Sequence, residues 1–365
     1  MNNKWIIPIS AVILAISVTA CSSANEKKDN AQSTTQNQES QESTIISTYY
    51  TADEGGSITK IDANTDQVLQ TIELEGAVHN VQVSPDGKIV GATVVPAMST
   101  MEGMEGMSDD EHGLGDDHVT NGFVYFFETK TGDLMKKVEV GAHPAHIVFT
   151  GDGKSILVTN NEGNNVTVMD AKSYQTTGVI PTGKGPHGFR VSTDSQYAYV
   201  ANMNEYTVSV LNLQTMTEDK KIQVGNTPVT TGLTSDGKTL IVPLNTENVA
   251  VIVDLVSGQL VEVPVGEGPA QVYVQNDNKY AIVANQGTEE TPSHSISKID
   301  LATKKVVATV ETGKGSHGVV TSNDNKKIYV TNMFEDTVSV IDNEKNEVIE
   351  TIKVGITPNG ISITP

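Results

Sequence analysis

The chain has 365 residues, 19% of them charged and 5% aromatic, with 45 acidic side chains against 24 Lys and Arg. The formal net charge of −21 argues against a nucleic-acid partner and is compatible with cations. Cys21 is the single cysteine, so no disulfide can form within the chain.

At the N-terminus, Lys4 precedes an apolar run, Trp5–Ala20, that closes on Val18-Thr19-Ala20-Cys21. A positive start, a short apolar core and small residues before the cleavage point fit a signal peptide, and the run is short for a membrane span. These residues resemble a bacterial lipoprotein signal, which implies residues 1–20 as leader and lipidation at Cys21. Residues 21–44 are rich in Ser, Gln, Asn, Thr and Glu with almost nothing apolar. Such a stretch cannot build a core and reads as a flexible tether. The expected location is extracytoplasmic, anchored to the membrane at the cell surface or in the periplasm.

From residue 45 to 365 the chain repeats. Gly76, Gly141, Gly183, Gly225, Gly266, Gly313 and Gly355 each open a unit, at spacings of 65, 42, 42, 41, 47 and 42. Each unit reads as four short strands with period-2 alternation. The first ends in a turn such as Ser84-Pro85-Asp86-Gly87, read as type I′, and the second ends in Asn, as at Asn160, Asn202, Asn245, Asn285 and Asn332. That Asn reads as a turn-former. A period near 42 with four strands is the signature of a propeller blade, so the fold expected is all-β, a seven-bladed β-propeller. The last glycine is followed by one strand only, Asn359–Thr364. Its partners are Ile45–Ala52, Ser57–Asp62 and Gln67–Leu74, and their pairing closes the ring and removes the open edges. Below, the blade opened by Gly76 is blade one and the mixed blade is the closing blade.

The histidines concentrate at one end of the repeat. His79, His143, His146, His187 and His317 fall at the entry to an innermost strand, and His112, His118 and His294 fall between strands two and three. Both kinds of segment share a face in a propeller. Counting back seven residues from the turn Asp86, Asp194 and Asp324 reaches His79, His187 and His317, while His146 is one place out of register. Equivalent residues in blades one, three and six would ring the channel mouth, and neutral imidazoles suit zinc, copper and nickel. Seven blades imply a mouth about a dozen ångströms wide, against the roughly 4 Å across which ligands on ~2 Å bonds can meet. Pro-His-Gly is also sound turn chemistry, so repeat drift alone could supply these histidines.

The 65-residue spacing in blade one holds about 23 extra residues, 98–121. Met98, Met101, Met104 and Met107 recur every third residue and precede Asp109, Asp110, Glu111, His112, Asp116, Asp117 and His118. Thioethers select Cu(I), whereas His with carboxylate suits zinc. The segment reads as a metal-capturing arm or as a solvated acidic loop.

Tyr199-Val200-Ala201-Asn202 and Tyr329-Val330-Thr331-Asn332 resemble the motif of the YVTN propellers, and the resemblance runs from Ile45 to the C-terminus. That family is functionally diverse, so the likeness speaks to fold. The propeller with its acidic, histidine-bearing loop is similar to extracytoplasmic zinc chaperones of ABC-type metal importers, although the methionines depart from a pure zinc pattern. The resemblance implies a non-enzymatic metal-binding lipoprotein carrying a zinc or copper ion, with a metal-transporter binding protein as partner. A monomer is expected. Two other readings stand beside it: a protein-binding scaffold without metal, and a lactonase-type hydrolase. For the last, the innermost strands offer no acidic cluster, and no Gly-x-Ser-x-Gly elbow or phosphate loop is present.

Overall fold

The computed structural model describes residues 47–96 and 120–365. Among them the strands form seven antiparallel four-stranded sheets, six of them continuous in sequence. The seventh joins Pro358–Ile363 to Thr48–Asp53, Ser57–Asp62 and Val68–Glu73, which makes the protein a seven-bladed propeller closed in the expected way. Tyr49 lies opposite Ile363 and Thr51 opposite Ile361 across this junction. Thr48 and Thr364 exchange backbone and hydroxyl bonds of 2.8 and 2.9 Å. Tyr49 also packs on Tyr329 of blade six with ring centroids 4.4 Å apart, so the closure is stapled on both sides.

The core lies between blades. Alternate residues of neighbouring sheets interdigitate, as where Ile241, Ala250 and Ile252 of blade four meet Val272, Ala281 and Val283 of blade five. The outermost strands, such as Glu347–Lys353, stay largely exposed.

The hairpin turns differ from the expected type I′. Only the residue after Asp has positive φ: 71° at Gly87, 67° at Gly153, 68° at Gly237 and 60° at Ser195. Each is a type I turn followed by a left-handed residue. A hydroxyl two residues before the Asp fixes it, at 2.7 Å for Ser84 to Asp86 and 2.6 Å for Thr234 to Asp236.

The Asn that ends strand two is a buried post rather than a turn-former. Asn202 Nδ2 donates to Thr207 and Ser209 hydroxyls, both at 2.9 Å; Asn285 and Asn332 likewise donate to two hydroxyls, and Asn160 donates to the Thr167 hydroxyl and the Asn165 side-chain carbonyl. A Cβ on Gly183 would stand 2.5 Å from Asn202, and one on Gly141 or Gly313 would stand 2.6 Å from its own Asn. The period-defining glycine therefore exists to admit that amide. In blade four Leu244, not Asn245, ends the strand, and in the closing blade Asp53 takes the place under Gly355.

The leader 1–20, Cys21, the 21–44 tether and Met101, Met104, Met107, His112, Asp116, Asp117 and His118 lie outside the described residues. The flanking strands Ile89–Val95 and Asn121–Glu128 pair as strands two and three of blade one, so Asn121 opens a strand instead of ending the insertion. His294 likewise sits within a strand, Pro292–Asp300, and is exposed. Among the described residues no helix is long and apolar enough to cross a membrane.

Candidate metal centre

Six of the seven innermost strands pair with their neighbour through a β-bulge. In blade one the register slips between Val78 and Asn80, in blade two between Pro144 and Ile147, and in blade three between Pro186 and Phe189. A bulge sets two residues of one strand against one of its partner and re-aims their side chains. Ala145 and His146 thus share a place opposite Thr159, whose hydroxyl receives the His146 N–H at 2.9 Å. This brings His146 into the mouth although it is one position out of step in the sequence.

The close set is consequently His79, His146 and His187, from three adjacent blades, with one ligand atom of each lying within 4.8 Å of the others. Ring centroids are 5.1 Å apart for His79 and His187, 4.8 Å for His146 and His187, and 6.0 Å for His79 and His146. The expected trio of His79, His187 and His317 is corrected in its third member. His317 belongs to blade six, and its Nδ1 lies 3.2 Å from the Asn359 carbonyl and 3.4 Å from Gln271 Nε2. Adjacent blades crowd their histidines along one wall, and this wall avoids the wide span that opposite blades would face. His143 stands at the exposed rim, 3.2 Å from Glu162 and 6.4 Å by ring centroid from His79.

Hydrogen bonding fixes how two of the rings present themselves. His187 Nδ1 is 3.0 Å from the Val229 carbonyl, which can only accept, so Nδ1 carries the proton and Nε2 the lone pair. Gly188 makes this possible, since a Cβ there would collide with Thr230 of the next blade. His79 Nδ1 is 2.8 Å from Glu54 Oε1, and Asn359 Nδ2 donates to the same oxygen at 2.7 Å. Burial pushes the Glu54 carboxyl up, but the His79 bond and charge and the Asn359 amide outweigh it and hold the group at about 2. An ionised Glu54 makes His79 Nδ1 a donor, and this carboxylate–histidine pair is the usual outer support of a metal-bound imidazole.

The two Nε2 atoms face each other 3.0 Å apart, and the His187 Nε2 lone pair can be met by a proton on His79 Nε2 or by a metal ion. The third ring adds to the demand, because His146 Nε2 is buried with no hydrogen-bond partner. Burial lowers all three buried histidines: His187 to about 3 and His317 to about 4, with His79 the next cause for His187, and His146 well below its ordinary value. Neutral imidazoles are the form that binds metal. A tetrahedral ion on ~2.0–2.1 Å bonds sets its nitrogens about 3.3 Å apart, so modest rotation of the rings gathers them from the present spread. The residues fit a three-histidine site with an open fourth position.

Glu54 was not legible beforehand as part of this site. It follows Asp53 at the end of a strand, and only the ring closure, which sets Asn359 beside it, gives it a role.

Fold and mouth together define a β-propeller with a histidine-walled channel. A family model described as YNCE-like beta-propeller matches residues 265–364, and one described as a choice-of-anchor I domain matches residues 25–184. No curated protein matches the chain. Among solved structures, hydrazine synthase of Kuenenia stuttgartiensis aligns with a TM-score of 0.66 at 19% identity, over 79% of this chain and 90% of that one. A candidate 6-phosphogluconolactonase of Bacteroides fragilis gives 0.67 at 16% identity, over 88% and 99%. The dihydro-heme d1 dehydrogenase NirN gives 0.59 at 16% identity, over 84% and 64%. At such identities the likeness is one of fold.

Proposed function

We propose that this protein is a binding propeller for one late first-row metal ion, zinc or copper, held by His79, His146 and His187. The observation that carries the reading is the convergence of one ligand atom from each of three histidines within 4.8 Å, with His146 Nε2 buried and unpartnered. Three neutral imidazoles with a vacant fourth position can take a metal and release it to another ligand, which suits a metallochaperone or scavenger. With the leader and Cys21 read as a lipoprotein signal, the propeller acts outside the cytoplasm on a tether, and its natural recipient is a metal-transporter binding protein. Met101, Met104, Met107, His112, Asp116, Asp117 and His118 add thioether, imidazole and carboxylate groups that would capture metal for the propeller. The chemistry is binding, not catalysis; a hydrolase reading draws on shared fold alone.

The test is elemental mass spectrometry of the untagged protein, desalted after exposure to equimolar Zn, Cu, Ni and Mn. About one equivalent of zinc or copper is expected at the mouth, in addition to any metal held by the arm. His79→Ala/His146→Ala/His187→Ala abolishes the mouth equivalent, and Glu54→Gln weakens it roughly 10–100-fold, as loss of an outer-shell partner does. A metal-free wild type throughout would favour a protein-binding scaffold.

A further inference from the structure

Seven innermost strands place seven equivalent residues at each level of the channel. Four positions before the turn Asp, the level below the histidines, those residues are Gln82, Val148, Arg190, Gly232, Tyr273, Val320 and Ser362. All but Gly232 line one cavity of about 440 Å³, with Arg190 and Tyr273 also lining a neighbouring one of about 250 Å³. The ring contains no carboxylate.

Arg190 is the only arginine in a chain with 24 Lys and Arg residues. Its one hydrogen bond runs from a guanidinium nitrogen to the Phe189 carbonyl at 2.9 Å. No carboxylate forms an ion pair with it among the described residues, and the titratable group that acts on it is the Tyr273 hydroxyl. Burial lowers the guanidinium from its ordinary value, and burial raises Tyr273 while Arg190 opposes that rise. Arg190 is half-buried in the channel wall, and a charge held there without a counter-charge carries a desolvation cost.

A second departure from the repeat points the same way. Five blades put Ser84, Thr150, Ser192, Thr234 and Ser322 where a hydroxyl fixes the turn Asp, at 2.5–2.7 Å. Blade five instead has Gln275, only 2% exposed, whose Nε2 is buried without a partner in the wall of the smaller cavity beside Arg190. Gln275 and Arg190 thus both line the smaller cavity.

We infer that the lower channel is a binding site for a small organic anion, whose carboxylate or phosphate group pairs with the Arg190 guanidinium while its body lies against Tyr273, Val148 and Val320. A guanidinium binds both oxyanions through paired N–H donors, which a lysine cannot reproduce, so the one arginine is matched to the task. This site uses none of the three histidines at the mouth.

The experiment is calorimetric titration of the intact, metal-free chain with benzoate and, separately, with inorganic phosphate, repeated on Arg190→Met and Arg190→Lys. Saturable binding of at least one probe is expected, weakened tenfold or more in both variants; preference for benzoate or for phosphate identifies the headgroup. No saturable binding of either probe, or equal binding by Arg190→Met, overturns the inference. Should the variants not fold, the wild type decides alone. Its thermal midpoint must rise with probe concentration, as for any ligand bound by the native state only, and a flat midpoint overturns the site.

Discussion

At the residue scale the mouth is defined by where protons can sit. His187 and His317 each commit Nδ1 to a carbonyl of the neighbouring blade, Val229 and Asn359, and burial keeps both rings neutral. Their folded values of about 3 and about 4 lie below the ordinary 6.5. Between those limits the unfolded chain binds more protons than the native protein, so native stability rises with pH there. The contribution is whole above pH 6.5 and drains as pH falls through the folded values. Glu54 acts in the same direction lower down, its share being present above 4.5 and lost through about 2. For the chelated protein, urea unfolding should give a lower free energy at pH 5 than at pH 7, by on the order of 2 kcal/mol per buried imidazole. His317→Gln should flatten that slope by one histidine's share. Equal stability at the two pH values would show these rings protonated in the native state, which would remove His187 as a ligand.

At the element scale the repeat was legible because each blade solves the same steric problem. Gly141, Gly183, Gly266 and Gly313, four of the seven glycines that revealed the period, stand over a buried amide, and the amide spans two polar side chains of strand three. The Asn, read from sequence as a turn-former, shows its actual partners only in three dimensions, since Asn202 and Ser209 are seven residues apart across a hairpin. The bulges were illegible for a related reason. A one-residue slip costs no change in composition, so His146 read as out of step when the bulge opposite Thr159 aims it inward. Arg190 was legible as the sole arginine, yet its meaning required the ring of channel residues around it. The amide–glycine pairing predicts a coupled effect. Gly183→Ala should destabilise by about 1–3 kcal/mol as an overpacked site. In an Asn202→Ala background the same change should cost clearly less, because the atom it meets is gone. Additive costs in a chemical-denaturation double-mutant cycle would mean that Glu205, whose carboxylate a Gly183 Cβ would also meet, is the true obstacle.

At the scale of the whole molecule, the ring depends on one late strand. Pro358–Ile363 supplies the innermost strand of the closing blade, and without it Thr48–Asp53 would present an unpaired edge to the channel. The same strand carries Asn359, which bonds the Glu54 carboxylate and receives His317, so closure and the outer support of the mouth share a residue. A metal at His79, His146 and His187 ties blades one to three together but does not touch this junction. Metal therefore cannot rescue an open ring. A chain ending at Thr357 should lose cooperative thermal unfolding and associate through its free edge in light scattering, with added zinc or copper failing to restore either property. The full chain behaves differently. An ion held by the native state alone stabilises it by about 2.7 kcal/mol at a hundredfold excess over Kd, so its melting midpoint should rise with metal. A truncated chain that melts cooperatively and gains stability from metal would place the closure outside the folding unit and leave the three-histidine wall as an autonomous part of the ring.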